Sequence, residues 1–438
     1  MKSLFNLKAI CIFIFMLLVS CSSGNNYDKD ANSPVLPQEE LSNNSILNEE
    51  NGNANRSLCG IADMPYWGFL FSNEDYECNN PAESSLVDDV AACYSTYPTN
   101  PQNYVLVVDS KEAPCYFGIN KCRIYSMAKN AWAEDHTLYR RSWGAVAGTN
   151  DPNTLEIGDP NGCDLIDGAP INNNYIYSIV GDMATFGGPC VKLFSHEIQA
   201  NGVVVDPPGL VAYFNHASFD GVRGVGGVFT ASGHYKIFAC DPANKNVRYW
   251  DENKNSATLS ILDSGIPVDI AICYASSSSG QLYIAVQNPT NRNEDFIQVY
   301  SVSGSYWTTF TSLGKAKDSN GNVQFFPFLV NLAVHEARNH NGNTIVALMM
   351  DSDDGWGIYL KQLNFPVSTY YDRFTVDFTY EPSQFPSLPE GLGIGYADVY
   401  GDGAGYYYYV GDRDPDCTTT GGNGEGENIL TWHNSTQS

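Results

Sequence analysis

Residues 270–313 read IAICYASSSSGQLYIAVQNPTNRNEDFIQVYSVSGSYWTTFTSL, and this stretch sets out the unit from which the chain is built. It opens on a small apolar run, Ile270-Ala271-Ile272-Cys273-Tyr274, and a second β-rich run closes on Asn288. A third, Ile297-Gln298-Val299-Tyr300, has the form apolar, any, apolar, aromatic, and a fourth runs from Trp307 to Leu313. Short β-rich runs broken by Ser, Gly, Asn and Asp are the mark of successive antiparallel strands.

Outward from this stretch the unit recurs. The third run returns as Cys122-Arg123-Ile124-Tyr125, Val191-Lys192-Leu193-Phe194, Val247-Arg248-Tyr249-Trp250, Ile358-Tyr359-Leu360-Lys361 and Ile429-Leu430-Thr431-Trp432, with Lys361 and Thr431 as misfits. Each is preceded by a run ending on an acid, at Asp109, Asp182, Asp241, Asp351 and Asp412. The small first run returns at 90–94, 225–229, 332–335 and 394–397, and outer runs at 258–262 and 374–378. Small residues suit strands that crowd a central axis. Four antiparallel strands at a period of roughly 50 to 70 residues make a propeller blade, so the expected fold is all-β, a six-bladed β-propeller over 58–438. The last unit stops after its third run, and residues 66–71 are expected to supply the missing outer strand, which removes an exposed sheet edge.

The chain ahead of this body is different. Lys2 and Lys8 precede an apolar run from Ala9 to Val19, then Ser20 and Cys21, a segment too short to span a bilayer and shaped like an export signal. Leu18-Val19-Ser20-Cys21 resembles the lipobox of bacterial lipoproteins, which implies cleavage before Cys21 and a lipid on its sulfur. Ser22 is similar to the pattern that family sorts to the outer membrane. The expected organisation is a signal peptide at 1–20, a disordered stalk at 21–57 and a propeller held at the bacterial outer membrane, facing the periplasm or the cell exterior. The stalk is rich in Asn, Ser, Glu and Pro and reaches about 30–35 Å as a coil.

Composition narrows the partners. The 23 Lys and Arg, two of them in the leader, face 49 Asp and Glu, so the basic footprint that nucleic acid requires is missing. Of 12 cysteines, Cys11 and Cys21 belong to leader and anchor. The even remainder in an oxidising compartment implies disulfides, with Cys115–Cys122, Cys163–Cys190 and Cys78–Cys417 as the expected pairs.

In a propeller the loops from second to third and from fourth to first strand open on one face. Asp109, Asp182, Asp241, Asn288 and Asp351 are therefore expected to ring a ligand-binding face, although Asp and Asn also end strands to form Asx-turns. Trp356, between Gly355 and Gly357, and Trp143, in the long connection 141–168, are candidate platforms for a sugar or a protein anchor. That connection and 412–428 are the expected recognition loops. Asp412, Asp414 and Asp416 alternate beside Asp353 and Asp354, the oxygen-rich pattern that suits Ca²⁺, with Glu425 and Glu427 in reserve. The EF-hand glycine is missing, and Asn423 stands at the twelfth position. The run Tyr396-Ala397-Asp398-Val399-Tyr400-Gly401-Asp402-Gly403 resembles an FG-GAP repeat, which implies a blade; Tyr400 stands where that family puts Asp or Asn.

Enzyme motifs mostly fail. His335-Glu336-Ala337-Arg338-Asn339-His340 has one residue too many for a zincin, and no Gly-x-Ser-x-Gly elbow or phosphate-cradling glycine motif occurs. The sequence thus leans away from an enzyme, towards a lipid-anchored propeller that binds a glycan or protein through its loop-rich face, with Ca²⁺ as the one expected cofactor. The rival is a calcium-dependent hydrolase or lactonase-like enzyme working at the central channel, and it rests on analogy of fold. It expects Asp88, Asp89, Asp269, Asn331 and Glu336 to converge at the channel mouth, whereas a binding module expects a plain channel. A scaffold in an envelope complex is the third reading.

Overall fold

The computed structural model describes residues 67–72, 86–95, 102–110, 121–127, 139–144, 159–168, 174–183, 188–205, 208–317, 321–335, 343–351, 357–365, 372–376, 388–398, 404–413 and 428–435, with Leu155, Ile157 and Asn172. Cys21, the stalk, Cys78, Cys115, Cys417, Glu336, Asp353, Asp354, Trp356, Asp414 and Asp416 lie outside the described residues.

The chain is all-β. Its strands are β1 (Trp67–Ser72), β2 (Leu86–Ser95), β3 (Gln102–Ser110), β4 (Lys121–Met127), β5 (Tyr139–Gly144), β6 (Pro160–Asp167), β7 (Tyr175–Asp182), β8 (Cys190–Glu197), β9 (Gly209–Asn215), β10 (Val225–Ala231), β11 (His234–Asp241) and β12 (Asn246–Asp251). They continue as β13 (Ser256–Ser260), β14 (Ile266–Ser276), β15 (Ser279–Gln287), β16 (Phe296–Ser303), β17 (Thr309–Lys315), β18 (Leu329–His335), β19 (Asn343–Asp351), β20 (Gly357–Phe365), β21 (Asp372–Val376), β22 (Leu388–Asp398), β23 (Ala404–Arg413) and β24 (Asn428–Ser435). They pair as four-stranded antiparallel sheets: β2 to β5, β6 to β9, β10 to β13, β14 to β17, β18 to β21, and β22-β23-β24-β1. In the last, β1 lies beside β24 with Trp67 opposite Trp432 and Phe69 opposite Leu430. The first strands touch in succession, β2 with β6, β6 with β10, β10 with β14, β14 with β18, β18 with β22 and β22 with β2.

Packing explains the sequence texture. Second strands lie between sheet neighbours on both sides and are covered on both faces, so they read as unbroken apolar runs. Leu282, Tyr283, Ile284, Ala285 and Val286 of β15 are all fully buried. Outer strands are half-wet, and β13 exposes Ala257 and Thr258 while burying Leu259. The core is a series of layers between sheets. One joins Leu106 and Ile124 to Leu165, Val180 and Phe194; another joins Phe238 and Val247 to Ile272, Ile284 and Trp307. Each fully buried Leu, Ile or Phe in these layers contributes about 1.5–3 kcal/mol.

Several expectations are corrected. Outer strands begin or end elsewhere: the run at 307–313 is β17 at Thr309–Lys315, because Trp307 takes a left-handed turn (φ 62°) and buries its ring. The connection 141–168 is strand at its two ends, which belong to β5 and β6. Trp143 accordingly sits in β5 opposite Cys122 and not in a loop. Cys163 carries a free thiol, so the Cys163–Cys190 disulfide is not formed; burial pushes that thiol's pKa well above its usual value.

Candidate functional site

Five first strands share an irregularity near their start. The pairing register slips between Val87 and Asp89, Pro160 and Cys163, Pro267 and Asp269, Leu329 and Asn331, and Pro389 and Leu392. A bulge at a strand end re-aims the residue that follows it. Three sheets put a polar side chain at that position, Asp89, Asp269 and Asn331, and all three are buried. In the second and sixth sheets the residue after the slip is Cys163 or Leu392, and the bulge itself holds Gly162 (φ 94°) or Gly391 (φ 87°). A Cβ on Gly162 would lie 1.7 Å from the Arg223 carbonyl oxygen, and one on Gly391 would lie 2.3 Å from the Val90 nitrogen. Backbones of neighbouring sheets therefore cross here at a separation only glycine permits.

The polar trio is bonded across sheets. Asp89 accepts from the Cys163 amide (2.8 Å) and from Asn331 Nδ2 (3.1 Å), and also from the Val90 amide (2.9 Å). Asp269 accepts from the Leu332 amide at 2.6 Å. Burial first, and the charge of Asp89 second, push the Asp269 carboxyl well above the usual carboxylate range, against the pull of its amide donors. One level along, Asp164 accepts from Gly227 N at 2.9 Å. Each carboxyl thus clasps the first strand of the next sheet, and in this cluster of buried carboxyls Asp269 is pushed towards its protonated form. Asp88, in the bulge of β2, is half-buried beside them.

The acidic ring expected at the loop ends is turned inward where it is described. Asp182 is fully buried, accepts from Asp159 N (3.0 Å) and pairs with the equally buried Lys192 ammonium at 3.3 Å. Asp241 is also fully buried and closes its turn by accepting from Asn244 N and Asn244 Nδ2. Asn288 accepts from Thr290 N, Thr290 Oγ1 and Asn291 N. Asp241 and Asn288 thus do Asx-turn duties, Asp182 closes a buried ion pair, and burial removes Asp182 and Asp241 from the exposed face. Asp109, Asp351 and Asp412 lie at or near the ends of β3, β19 and β23. Among the described residues no group of His, Cys, Asp or Glu is arranged to hold a metal ion.

Sequence reasoning missed Asp295, which accepts from the amides of Asn288 (2.7 Å) and Leu329 (3.0 Å) and from Arg292 Nε (2.8 Å). Burial raises its carboxyl, and Arg292 opposes the shift. Around it the loops at this end of the sheets are rich in amides and hydroxyls: Ser218, Asn244, Thr290, Asn291 and Asn293 are exposed. The signal was present as the Asn-rich run Asn288-Pro289-Thr290-Asn291-Arg292-Asn293.

No family model and no curated protein matches the sequence. Among solved structures the chain is similar to Trypanosoma rangeli sialidase in complex with the inhibitor DANA (TM-score 0.46, 9% identity, 81% of this chain and 55% of that one). It is also similar to Penicillium chrysogenum α-L-arabinanase complexed with arabinobiose (0.46, 10%, 84% and 98%) and to the GH43_1 enzyme from Xanthomonas citri complexed with xylose (0.41, 11%, 84% and 89%). The chain spans about half the length of the sialidase, 55%, and 62% of that of a GH43 β-1,3-galactosidase. The neighbours named here are enzymes, contrary to the leaning away from an enzyme in the sequence.

Proposed function

We propose that the six sheets are the blades of a β-propeller, closed by β1, that recognises a glycan at the end where the first strands begin. The succession of first-strand contacts, ending with β22 against β2, supports the ring. The observation that carries the glycan reading is the chemistry at that end: exposed planar amides and hydroxyls of Ser218, Asn244, Thr290, Asn291 and Asn293 around a centre made polar by Asp89, Asp269 and Asn331. Groups that both donate and accept match sugar hydroxyls, and a basic surface would not.

A second reading is favoured by the buried carboxyls Asp89 and Asp269. Glycoside hydrolysis needs one carboxyl kept protonated as acid and another ionised, and burial drives Asp269 in the first direction beside Asp89. The test is full-length protein in detergent, assayed for binding on a glycan array and for turnover of aryl glycosides. Binding without turnover supports recognition; turnover lost in Asp269→Asn and Asp89→Asn supports hydrolysis. No binding and no turnover across the panel refutes both.

A lipid on Cys21 would tether this head to the outer membrane, and Cys21→Ala should move the protein from the membrane to the soluble fraction. Calcium held by Asp412, Asp414 and Asp416 with Asp353 and Asp354 would raise the melting temperature on Ca²⁺ titration, an increase absent when the three loop aspartates are changed to Ala.

A further inference from the structure

We propose that the junction between the connection 215–224 and the turn 241–246 seats one hydroxyl of a neutral sugar between Arg248 Nε and Asn246 Oδ1. The site rests on the glycan reading and gives it an address. Arg248 and Asn246 stand two apart on β12 and therefore project from the same face. Arg248 is only 7% exposed, and its Nη2 donates to Ser218 Oγ at 2.9 Å. Asn246 Nδ2 donates to the Asn244 carbonyl at 3.2 Å, which fixes the amide's orientation and leaves Oδ1 facing away from that bond. Among the described residues, Arg248 Nε and Asn246 Oδ1 are buried atoms without a hydrogen-bond partner. Orphaned buried polar atoms are costly to a fold and call for a partner.

The chemistry of the pair selects that partner. It must accept from a guanidinium and donate to an amide oxygen. A carboxylate or phosphate only accepts, and Oδ1 repels it; an ammonium only donates, and Arg248 repels it. A hydroxyl does both. Fully buried Asp241 lies close enough to act on Arg248 electrostatically, so the site carries no net positive charge to attract an anion.

The surrounding groups are already committed. Ser218 N donates to His216 Nδ1 (3.1 Å), which makes that nitrogen an acceptor, so the Ser218 hydroxyl donates to it at 2.8 Å while its lone pair takes Arg248. Asn244 Nδ2 donates to the Ser218 carbonyl (2.8 Å) and ties the turn to the connection. Phe219 and Trp250, both buried and edge to face at 5.4 Å, fix the connection from below. His216, Ser218 and Asn244 are exposed at the rim, so the site opens on the loop-bearing end of the sheet.

The test is isothermal titration of the full chain with methyl glycosides and disaccharides of glucose, galactose, xylose and arabinose, with sialyllactose and glucuronate as charged controls. Asn246→Leu removes the orphan acceptor and Ser218→Ala loosens the arginine; both are followed by thermal melting. The expected result is binding of at least one neutral sugar by the wild type, at least tenfold weaker in both variants, each of which still melts as a folded protein. Wild-type affinity retained in Asn246→Leu overturns this site, assigns the gap to solvent alone and leaves the glycan reading standing. Preference for the charged controls overturns the hydroxyl assignment, and failure of the wild type to bind any sugar overturns both readings.

Discussion

Replacing His196 by Gln should change the pH dependence of stability more than stability itself. His196 lies on β8 with its Nε2 at 2.7 Å from Ser178 Oγ, and both residues are buried. Burial lowers its pKa from 6.5 to about 3. In the unfolded chain the imidazole takes up a proton as pH falls through its ordinary value, and the folded protein refuses that proton until about pH 3. The contribution is therefore fully present above the unfolded pKa and is lost as pH falls. Linkage gives a loss of about 2 kcal/mol by pH 5, approaching about 5 kcal/mol at pH 3 and below. His196→Gln keeps an amide within reach of Ser178 and cannot titrate. Urea midpoints at pH 8 and pH 5 should show the variant less stable by about 1 kcal/mol at pH 8 and equal to or better than wild type at pH 5. Asp269 and Asp295, whose raised pKa values give the opposite slope, are common to both proteins and cancel in the difference. Parallel profiles for the two proteins would refute the assignment of the acid sensitivity to His196.

Other substitutions test the remaining contacts. Lys192→Met strands the fully buried Asp182 and should cost about 3–5 kcal/mol, whereas Lys192→Met with Asp182→Leu should recover most of it in chemical denaturation. Gly162→Ala and Gly391→Ala should each lose at least about 2 kcal/mol, since a Cβ meets neighbouring backbone and the φ is left-handed; a melting point within 2 °C of wild type, a margin of about 1 kcal/mol or less, would sink the close-approach argument. Deleting residues 67–72 uncovers the edge of β24 and should convert the protein to oligomers in light scattering, while monomers of unchanged melting temperature would count against the pairing.

Much of the architecture was legible because third strands carry a repeated apolar–aromatic pattern and second strands end on turn-forming Asp or Asn. The pairing of β1 with β24 was legible for a topological reason, a last unit one strand short. The first strand of the second sheet was not, because Asn161 and Gly162 form its bulge and Asp164 interrupts the small apolar pattern. The loop-end acids were misread as a surface, since a sequence does not reveal that Lys192 folds under Asp182 or that Asp241 spends its oxygens on Asn244. Asp89, Asp269 and Asn331 were named as a possible convergence, and the bulges that aim them follow from register, which strand-pattern reading does not supply. Arg248 was seen only as the second residue of a third-strand repeat; its burial depends on a connection some 30 residues earlier.

The level after the bulge is uneven around the first strands: Asp89, Asp269 and Asn331 stand on β2, β14 and β18, whereas Cys163 and Leu392 stand on β6 and β22. A guest lying against that level would find two adjacent polar handholds, on β14 and β18, and a third on β2, which stands alone between the smooth walls of β6 and β22. Such an uneven floor favours one way round for the guest, because a turned molecule matches fewer of the three groups.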